Sequence, residues 1–393
     1  MSVKSIIRST YKKASLKMLL PSVYKKHAKK AVNPKKAVFI EVRSAQLSDN
    51  FTLINDALAE QGFTISLHCL RLGFVGFTKY LKNCLAMVKD IADARYVFLN
   101  ERSNVYGCLP IRKETVTVQT WHACGAFKRF GLSTGDVAFG EAKEDSLNYP
   151  PYGNLDYITV SSPEVIWAYE EAMNIKPDSG QQMVAIGTSR TDMFFDKKRL
   201  AAARDNLLSV VPAADGKQII LYAPTFRGNS TSGAKIPNAL DIARLKKSLS
   251  EDTILLIKHH PLAKDKQVIP DNCRDFAFDI TRTLSIEDAL MAADLCISDY
   301  SSLVFEYSLM DKPMVFFAYD MQEYIDDRGF YYPFEEFCPG PIAKDMDQLI
   351  EAIDEAQHSG LEKVRAFRKK FMSSCDGHAT ERLLELISTA KPL

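Results

Sequence analysis

The sequence predicts an α/β protein built from two doubly wound domains, each a parallel sheet flanked by helices. Three observations lead there. Short apolar, β-prone runs alternate with helix-period stretches along most of the chain, the order that gives right-handed βαβ units and parallel sheets. The alternation comes in two series, joined near 188–217. At 393 residues the chain is also too long for one ordinary core, so a seam between two domains is the natural cleft.

The chain opens on a basic arm. Residues 1–40 contain 11 Lys/Arg and no Asp or Glu; the 50 basic residues less those 11 leave 39 against 49 acidic. An acidic body argues against nucleic acid as a partner, and the arm itself is expected to meet an anionic surface. Val3, Ile6, Ile7, Ala14, Met18 and Leu19 recur at roughly helical spacing among lysines. That is the pattern of an interfacial helix, apolar face in lipid and cations toward anionic headgroups. A solvated helix packed on the body is the alternative. Pro21 is expected to break the helix in two. Residues 1–36 are thus read as a membrane-association segment, 37–205 as the first domain and 206–393 as the second.

The first series places strands at 37–42, 64–70, 96–99, 115–120, 157–160 and 183–186, with helices at 50–60, 77–92 and 163–173 among them. The second places strands at 218–222, 253–258, 276–279, 295–298 and 314–317, with helices at 240–249, 286–291, 304–309 and 347–356. Runs such as Ile254-Leu255-Leu256-Ile257 and Leu295-Cys296-Ile297 are apolar throughout, as strands buried on both faces are. A last helix near 363–391 is expected to pack back across the seam.

Composition narrows the class. The apolar share of 46% and charged share of 25% are ordinary for a globular chain. Eight scattered cysteines include no Cys-x-x-Cys pair, so neither a zinc site nor a disulfide framework is expected, and buried thiols suit a reducing compartment. No apolar run approaches the roughly 18–20 residues of a membrane span, and the N-terminus lacks the pattern of a secretion signal. A cytoplasmic protein is expected. No Gly-x-Gly-x-x-Gly or Walker loop occurs, and Gly187 and Gly329 are weak signals alone, which argues against a dehydrogenase or P-loop kinase. Phosphates here would be held by side chains and helix ends, with no metal and no cofactor.

The candidate site residues cluster after strands, where ligands of open α/β sheets settle. His122, in Gln119-Thr120-Trp121-His122-Ala123-Cys124-Gly125, follows one strand and precedes an expected helix holding Lys128 and Arg129. Its imidazole suits a general base near neutral pH. Thr225 and Arg227, in Tyr222-Ala223-Pro224-Thr225-Phe226-Arg227, offer a hydroxyl and a planar fork of N–H donors to a phosphate. In Lys258-His259-His260-Pro261 adjacent side chains face opposite ways; His260 is assigned to the cleft, His259 to strand burial, and Pro261 to an extended exit. Asp299-Tyr300-Ser301-Ser302 opens a helix, where Ser301 and Ser302 could serve as N-caps or as part of an anion site. Glu306, one turn on, could accept hydrogen bonds from a ribose.

Read together, these segments resemble the CDP-glycerol glycerophosphotransferase family, which builds teichoic acids and related polyol-phosphate polymers. The matching pieces are Thr120-Trp121-His122 with Gly125 and Lys128-Arg129-Phe130-Gly131, Tyr222 to Arg227, Lys258 to Pro261, and Ile297 to Ser302. They continue with Asp311 to Asp320, Arg328-Gly329-Phe330-Tyr331 and Pro339-Gly340-Pro341-Ile342. The resemblance covers roughly 115–375. It implies a glycosyltransferase-B-like architecture, two Rossmann-like domains with the active site between them. It also implies transfer of a polyol phosphate from a CDP-activated donor, CDP-glycerol before CDP-ribitol, to an acceptor hydroxyl with release of CMP. His122 would be the base, with His260 the second catalytic candidate. His260, Ser301 and Ser302 would bind the donor diphosphate, with Thr225, Arg227 and Asp299 beside them, and Arg328 would hold donor or acceptor phosphate. Many members carry His-Gly-Thr-Pro where this chain has His122-Ala123-Cys124-Gly125, so the loop that shapes acceptor entry departs from the pattern. A chain near the length of one catalytic module favours priming over polymerisation. A lipid-linked glycan acceptor would account for the basic arm, placing the enzyme peripherally on the inner face of the membrane. Two rivals share parts of this reading: a sugar-moving enzyme of the same architecture with a UDP donor, and an inactive binding module.

Overall fold

A computed structural model describes residues 3–135, 143–227, 235–260 and 267–390. Among them the α/β class holds: two six-stranded parallel sheets with helices between the strands. The first contains β1 (Asn33–Glu41), β2 (Thr64–Cys69), β3 (Ala94–Leu99), β4 (Val116–Gln119), β5 (Tyr157–Thr159) and β6 (Gln182–Val184), ordered β2-β1-β3-β4-β5-β6. The second contains β7 (Gln218–Tyr222), β8 (Thr253–Ile257), β9 (Ala277–Asp279), β10 (Leu295–Ser298), β11 (Met314–Phe317) and β12 (Ile342–Ala343), ordered β12-β11-β10-β7-β8-β9. Ile219 to Tyr222, Thr253 to Ile257 and Leu295 to Ser298 are buried along their length, which is why those runs carry no polar alternation.

Strand order reverses between β1 and β3 in one sheet and between β7 and β10 in the other. A reversal splits the helices onto opposite faces and leaves a crevice at the carboxyl ends. Glu41 and Asn100 stand at the first crevice, Ala223 and Asp299 at the second. Residues that follow strands of both sheets line one cavity.

The helical arm runs through Val3–Ala14, a π-wound turn Ser15–Leu19, and Leu20–His27. Pro21 does not break it. Its ring and missing N–H are accommodated where Ser15–Leu19 widens, and the chain stays helical through Leu19 and Leu20. Leu16, Leu20 and Tyr24 are buried in the core shared with Cys84, Met87 and Val88 of the helix Phe77–Asp90, and the Arg112 backbone N–H donates to the Tyr24 hydroxyl at 3.1 Å. This face therefore packs on the body. The side chains of Val3, Ile6 and Ile7 lie outside what is described.

Two further differences bear on the site. The boundary expected at 205/206 falls inside the helix Lys197–Val210, where Arg199 pairs with Asp288 of the helix Ile286–Ala292. The single C-terminal helix expected at 363–391 is two, Glu362–Phe371 and Ala379–Thr389; Lys391 lies outside the described residues. Between them the chain dips to the seam: Ser374 N–H donates to the Ser161 carbonyl, and Asp192 accepts from the Ala379 and Thr380 N–H groups, starting the second helix. That helix lies on the first sheet, with Leu383 and Ile387 against Phe39, Phe51 and Ile54.

Candidate active site

A cavity of roughly 780 Å³ occupies the seam. The first domain contributes Trp121 to Gly131 and Arg190; the second contributes Thr225, Lys258, His260, Glu287, Ser301, Ser302, Glu306 and Arg328. His122 and His260, 138 positions apart in sequence, thus line one crevice.

His122 is placed by a strained turn. Trp121 adopts φ 55°, the left-handed region that costs a non-glycine residue free energy. The Trp121 N–H donates to Gln119 Oε1 at 3.1 Å, and its indole packs against Phe130 and Tyr169. The turn aims the His122 ring at the cavity, where it is exposed. His122 Nδ1 lies 2.9 Å from the Asn100 carbonyl oxygen. A carbonyl only accepts, so Nδ1 carries the proton and Nε2 keeps its lone pair. The Asn100 amide donates in turn to Glu41 Oε2 at 3.1 Å and to Ser48 Oγ at 3.0 Å. Desolvation by the cleft walls holds the His122 pKa down, to about 4, with Arg190 and Arg43 adding to it and the Asn100 bond opposing. Water in the open cavity counters part of that desolvation; both act on a ring that is neutral at pH 7.

The segment after His122 is irregular, not the helix expected around Lys128 and Arg129. Its path is tertiary in origin. Lys128 bridges Phe330 antiparallel, Arg129 N–H donates to the Gly329 carbonyl at 3.1 Å, and Tyr331 N–H donates to the Phe127 carbonyl at 3.0 Å. Gly125, at φ 63°, faces Phe305, and a Cβ there would lie 2.1 Å from two carbons of the Phe305 ring. The missing side chain lets the helix Leu303–Ser308 approach the His122 loop closely.

The second domain meets this loop with mixed roles. His259 is buried, whereas His260 opens to the cavity; burial and then Lys128 push the His260 pKa down, so it meets a ligand as a neutral donor or acceptor. Pro261 lies outside the described residues. Ser301 and Ser302 line the cavity. Ser302 makes no side-chain capping bond, and the Leu303 N–H approaches Ser301 Oγ at 3.4 Å.

Thr225, Arg227 and Asp299 are engaged with one another. Thr225 Oγ1 donates to Asp299 Oδ2 at 3.0 Å. Arg227 Nη1 donates to the same oxygen at 2.9 Å, to the Thr225 carbonyl at 2.8 Å and to Thr225 Oγ1 at 3.0 Å. Its Nε and Nη2 go to Asp320. The fork expected to face phosphate therefore faces two carboxylates. Burial opposes the Arg227 charge, and Asp299 with Asp320 outweighs it, raising its pKa. Asp299 is buried at 1% exposure behind the lining. A carboxylate beside a diphosphate would repel it; here its charge is met by Arg227. Thr225 lines the cavity with its hydroxyl proton already engaged.

Glu306 is likewise less open than expected, at 2% exposure. Its Oε1 pairs with Arg190 across the seam, while Glu306 Oε2 and Arg190 Nε have no hydrogen-bond partner among the described residues. Arg328 lies on the lining with its guanidinium 5.6 Å from the Phe226 ring and 5.9 Å from the Tyr324 ring. Sequence reasoning missed Asn100, Arg190 and Glu287. A polar residue closing a predicted strand marks Asn100, and an arginine in the loop after β6 marks Arg190. Glu287, its pKa raised by burial, sits in the first turn of the helix predicted at 286–291, where an acidic residue is explained by the helix dipole alone.

Comparison with known proteins places the chain in a family. The family model described as CDP-glycerol:poly(glycerophosphate) glycerophosphotransferase matches residues 22–389. The teichoic acid ribitol-phosphate primase of Bacillus spizizenii is 33% identical over 391 residues, covering 98% of this chain and 96% of that protein. The teichoic acid glycerol-phosphate primase of Bacillus subtilis is 28% identical, over 90% of this chain and 88% of that protein. Polymerases of both polyols are relatives too. Among solved structures, the wall teichoic acid polymerase TagF soaked with CDPG superposes with a TM-score of 0.76 at 22% identity, over 99% of this chain and 98% of that one.

Proposed function

This chain belongs to the CDP-glycerol:poly(glycerophosphate) glycerophosphotransferase family of teichoic acid enzymes, and from that premise we propose that it transfers one polyol phosphate from a CDP-polyol to a lipid-linked acceptor. The acceptor hydroxyl attacks the phosphorus bearing the polyol. Its proton goes to His122 Nε2, the bond to the CMP oxygen breaks, and CMP leaves with the electron pair. His260, Ser301 and Ser302 hold the diphosphate, and Glu306 Oε2 accepts from a donor hydroxyl. Phosphoryl transfer needs positioned groups and charge stabilisation more than covalent chemistry, so the CDP-polyol serves with no cofactor.

The observation that supports this most is the His122 tautomer. Nδ1–H is fixed on the Asn100 carbonyl, so the ring has its lone pair available on the nitrogen that can meet an acceptor hydroxyl. The sequence alone favours glycerol phosphate. The relative matched nearly end to end is a ribitol-phosphate primase, at 33% against 28% for the glycerol-phosphate primase, so the proposal takes ribitol phosphate first and glycerol phosphate second. This chain spans 96% and 88% of those two primases but 56% of the Bacillus spizizenii poly(ribitol-phosphate) polymerase, which supports addition of a single unit. The lysine-rich arm supports peripheral work on the inner membrane face, and no helix of the described residues is long and apolar enough to cross a membrane.

The test offers CDP-ribitol, CDP-glycerol and a UDP-sugar separately with a lipid-linked glycan acceptor, and follows nucleotide release and product length. CMP release from a CDP-polyol with one unit added supports the reading. UDP release, or no turnover with any donor, would refute it; products many units long would replace priming by polymerisation.

A further inference from the structure

Gln119 closes β4 with its side chain wholly buried, at 0% exposure, behind Val116, Thr117 and Val118. A glutamine in that position must satisfy its amide inside the protein. It does so by reaching two segments at once. Its Nε2 donates to the Glu101 carbonyl at 3.2 Å, and its Oε1 accepts from the Trp121 N–H at 3.1 Å. The segment after β3 carries the Asn100 carbonyl that accepts from His122 Nδ1, and the segment after β4 carries His122 itself. The amide thus ties acceptor and imidazole together one residue away from each. Among the described residues, backbone pairing of β3 with β4 ends at the Thr120 N–H on the Leu99 carbonyl, 2.8 Å apart. Beyond that rung the two segments are joined by side chains, the Gln119 amide and the His122 ring.

The tie falls where the backbone is strained. Trp121 holds φ 55°, a conformation that a non-glycine residue keeps only when its surroundings impose it, and the bond from Gln119 is to the N–H of that residue. The indole in turn lies 4.4 Å from the His122 ring between centroids. Without the amide, Trp121 can relax and carry His122 away from the Asn100 carbonyl. A ring freed from that carbonyl can hold its proton on Nε2, and a protonated nitrogen takes none from a hydroxyl. Neither Gln119 nor Glu101 lines the cavity, so the amide acts on a substrate only through His122. We propose that Gln119 is a positioning residue, which sets the tautomer of His122 and holds its free nitrogen toward the acceptor hydroxyl. The use made of that nitrogen rests on the phosphate-transfer reading; the tautomer does not.

The experiment compares the wild-type chain with two variants. Gln119→Met fills similar space with neither donor nor acceptor; Gln119→Glu keeps an acceptor for the Trp121 N–H and removes the donor to Glu101. CMP binding by titration calorimetry reports the integrity of the site, and kcat with donor KM reports the reaction. Imidazole nitrogen NMR reports the tautomer, the His122 signals being those lost in His122→Ala. Wild type should show Nδ1–H. In any variant that binds CMP normally, an Nε2–H signal should appear and kcat should fall about a hundredfold, the scale of a misplaced reacting group, with donor KM unchanged. Retained Nδ1–H in a normally folded variant would overturn the proposal, whatever kcat does. So would loss of CMP binding in both variants, the mark of a residue that holds the fold. A proton that moves to Nε2 while kcat holds, or a wild-type chain that turns over no CDP-polyol, would sink the proposed reaction and leave Gln119 as the residue that sets the tautomer.

Discussion

His122 faces solvent in the cavity, yet its hydrogen bond to the Asn100 carbonyl leaves only one nitrogen to act. His122→Ala should cost at least about a hundredfold in kcat while CMP still binds, measured by single-turnover CMP release; normal turnover would end its assignment as the base. The pH dependence has a definite sign. The group's pKa sits below its ordinary 6.5, so the neutral, proton-accepting form persists as pH falls through that value. The acid limb of kcat/KM is therefore expected below pH 6.5. Arg190 and Arg43 act on the ring as cations, with Glu287, Glu306, Lys258, Lys128, Arg328 and His260 on the same cavity. Removing a cation in Arg190→Gln should move the limb upward, as a pH–rate series would show. Arg227 gives the opposite kind of expectation. With 2% of the Asp299 side chain exposed beside it, Arg227→Gln strands a buried carboxylate and should lower unfolding stability by about 3–5 kcal/mol. Urea denaturation reads this directly. A stable variant with lost CDP affinity would instead restore Arg227 to phosphate binding.

At the scale of elements, legibility followed locality. The bounds of Gln218–Tyr222, Leu295–Ser298 and Met314–Phe317 are those the sequence predicts, because apolar β-prone runs end there at polar or turn residues. The stretch 121–131 was illegible for the converse reason. Its conformation is imposed by pairing with 329–331, two hundred residues away, and by positive φ at Trp121, Gly125 and Gly131, none of which has a local signature. The break in the expected C-terminal helix does carry a local mark, Ser373-Ser374-Cys375-Asp376-Gly377 with Gly377 at φ 93°, and Ser161 and Asp192 hold it from outside. Site residues followed the same division. The sequence locates those just after strands, but which of their donors are engaged depends on partners such as Asp320 and Arg190. Gly125→Ala tests the imposed path. The new methyl meets a fully buried Phe305 ring at a φ that disfavours any side chain, so a loss of about 1–3 kcal/mol is expected. Phe305→Leu in the same chain should recover part of it, as thermal melts would reveal; strict additivity of the two changes would deny the contact.

For the molecule as a whole, the arm poses the sharpest question, because one face already belongs to the body. Leu16, Leu20 and Tyr24 are buried, so deleting residues 1–36 would uncover Met87 and Val88 and remove the start of β1. Loss of vesicle binding in that truncation would prove nothing. The other face is separable. Tyr11, Met18 and Leu19 are 60%, 67% and 42% exposed, and Phe74 and Phe77 are exposed beside them, with the Tyr11 and Phe77 rings 6.1 Å apart. Exposed aromatic and aliphatic groups among lysines suit the boundary of an anionic bilayer, where each cation near the surface contributes about 1 kcal/mol. Replacing Tyr11, Met18 and Leu19 together by Ser leaves the packed face intact. It should sharply reduce sedimentation with vesicles of phosphatidylglycerol and phosphatidylcholine, spare turnover on a soluble acceptor analogue, and leave the melting temperature near wild type. Undiminished sedimentation would mean that the arm's outer face is solvent surface and that the enzyme reaches its acceptor by another route.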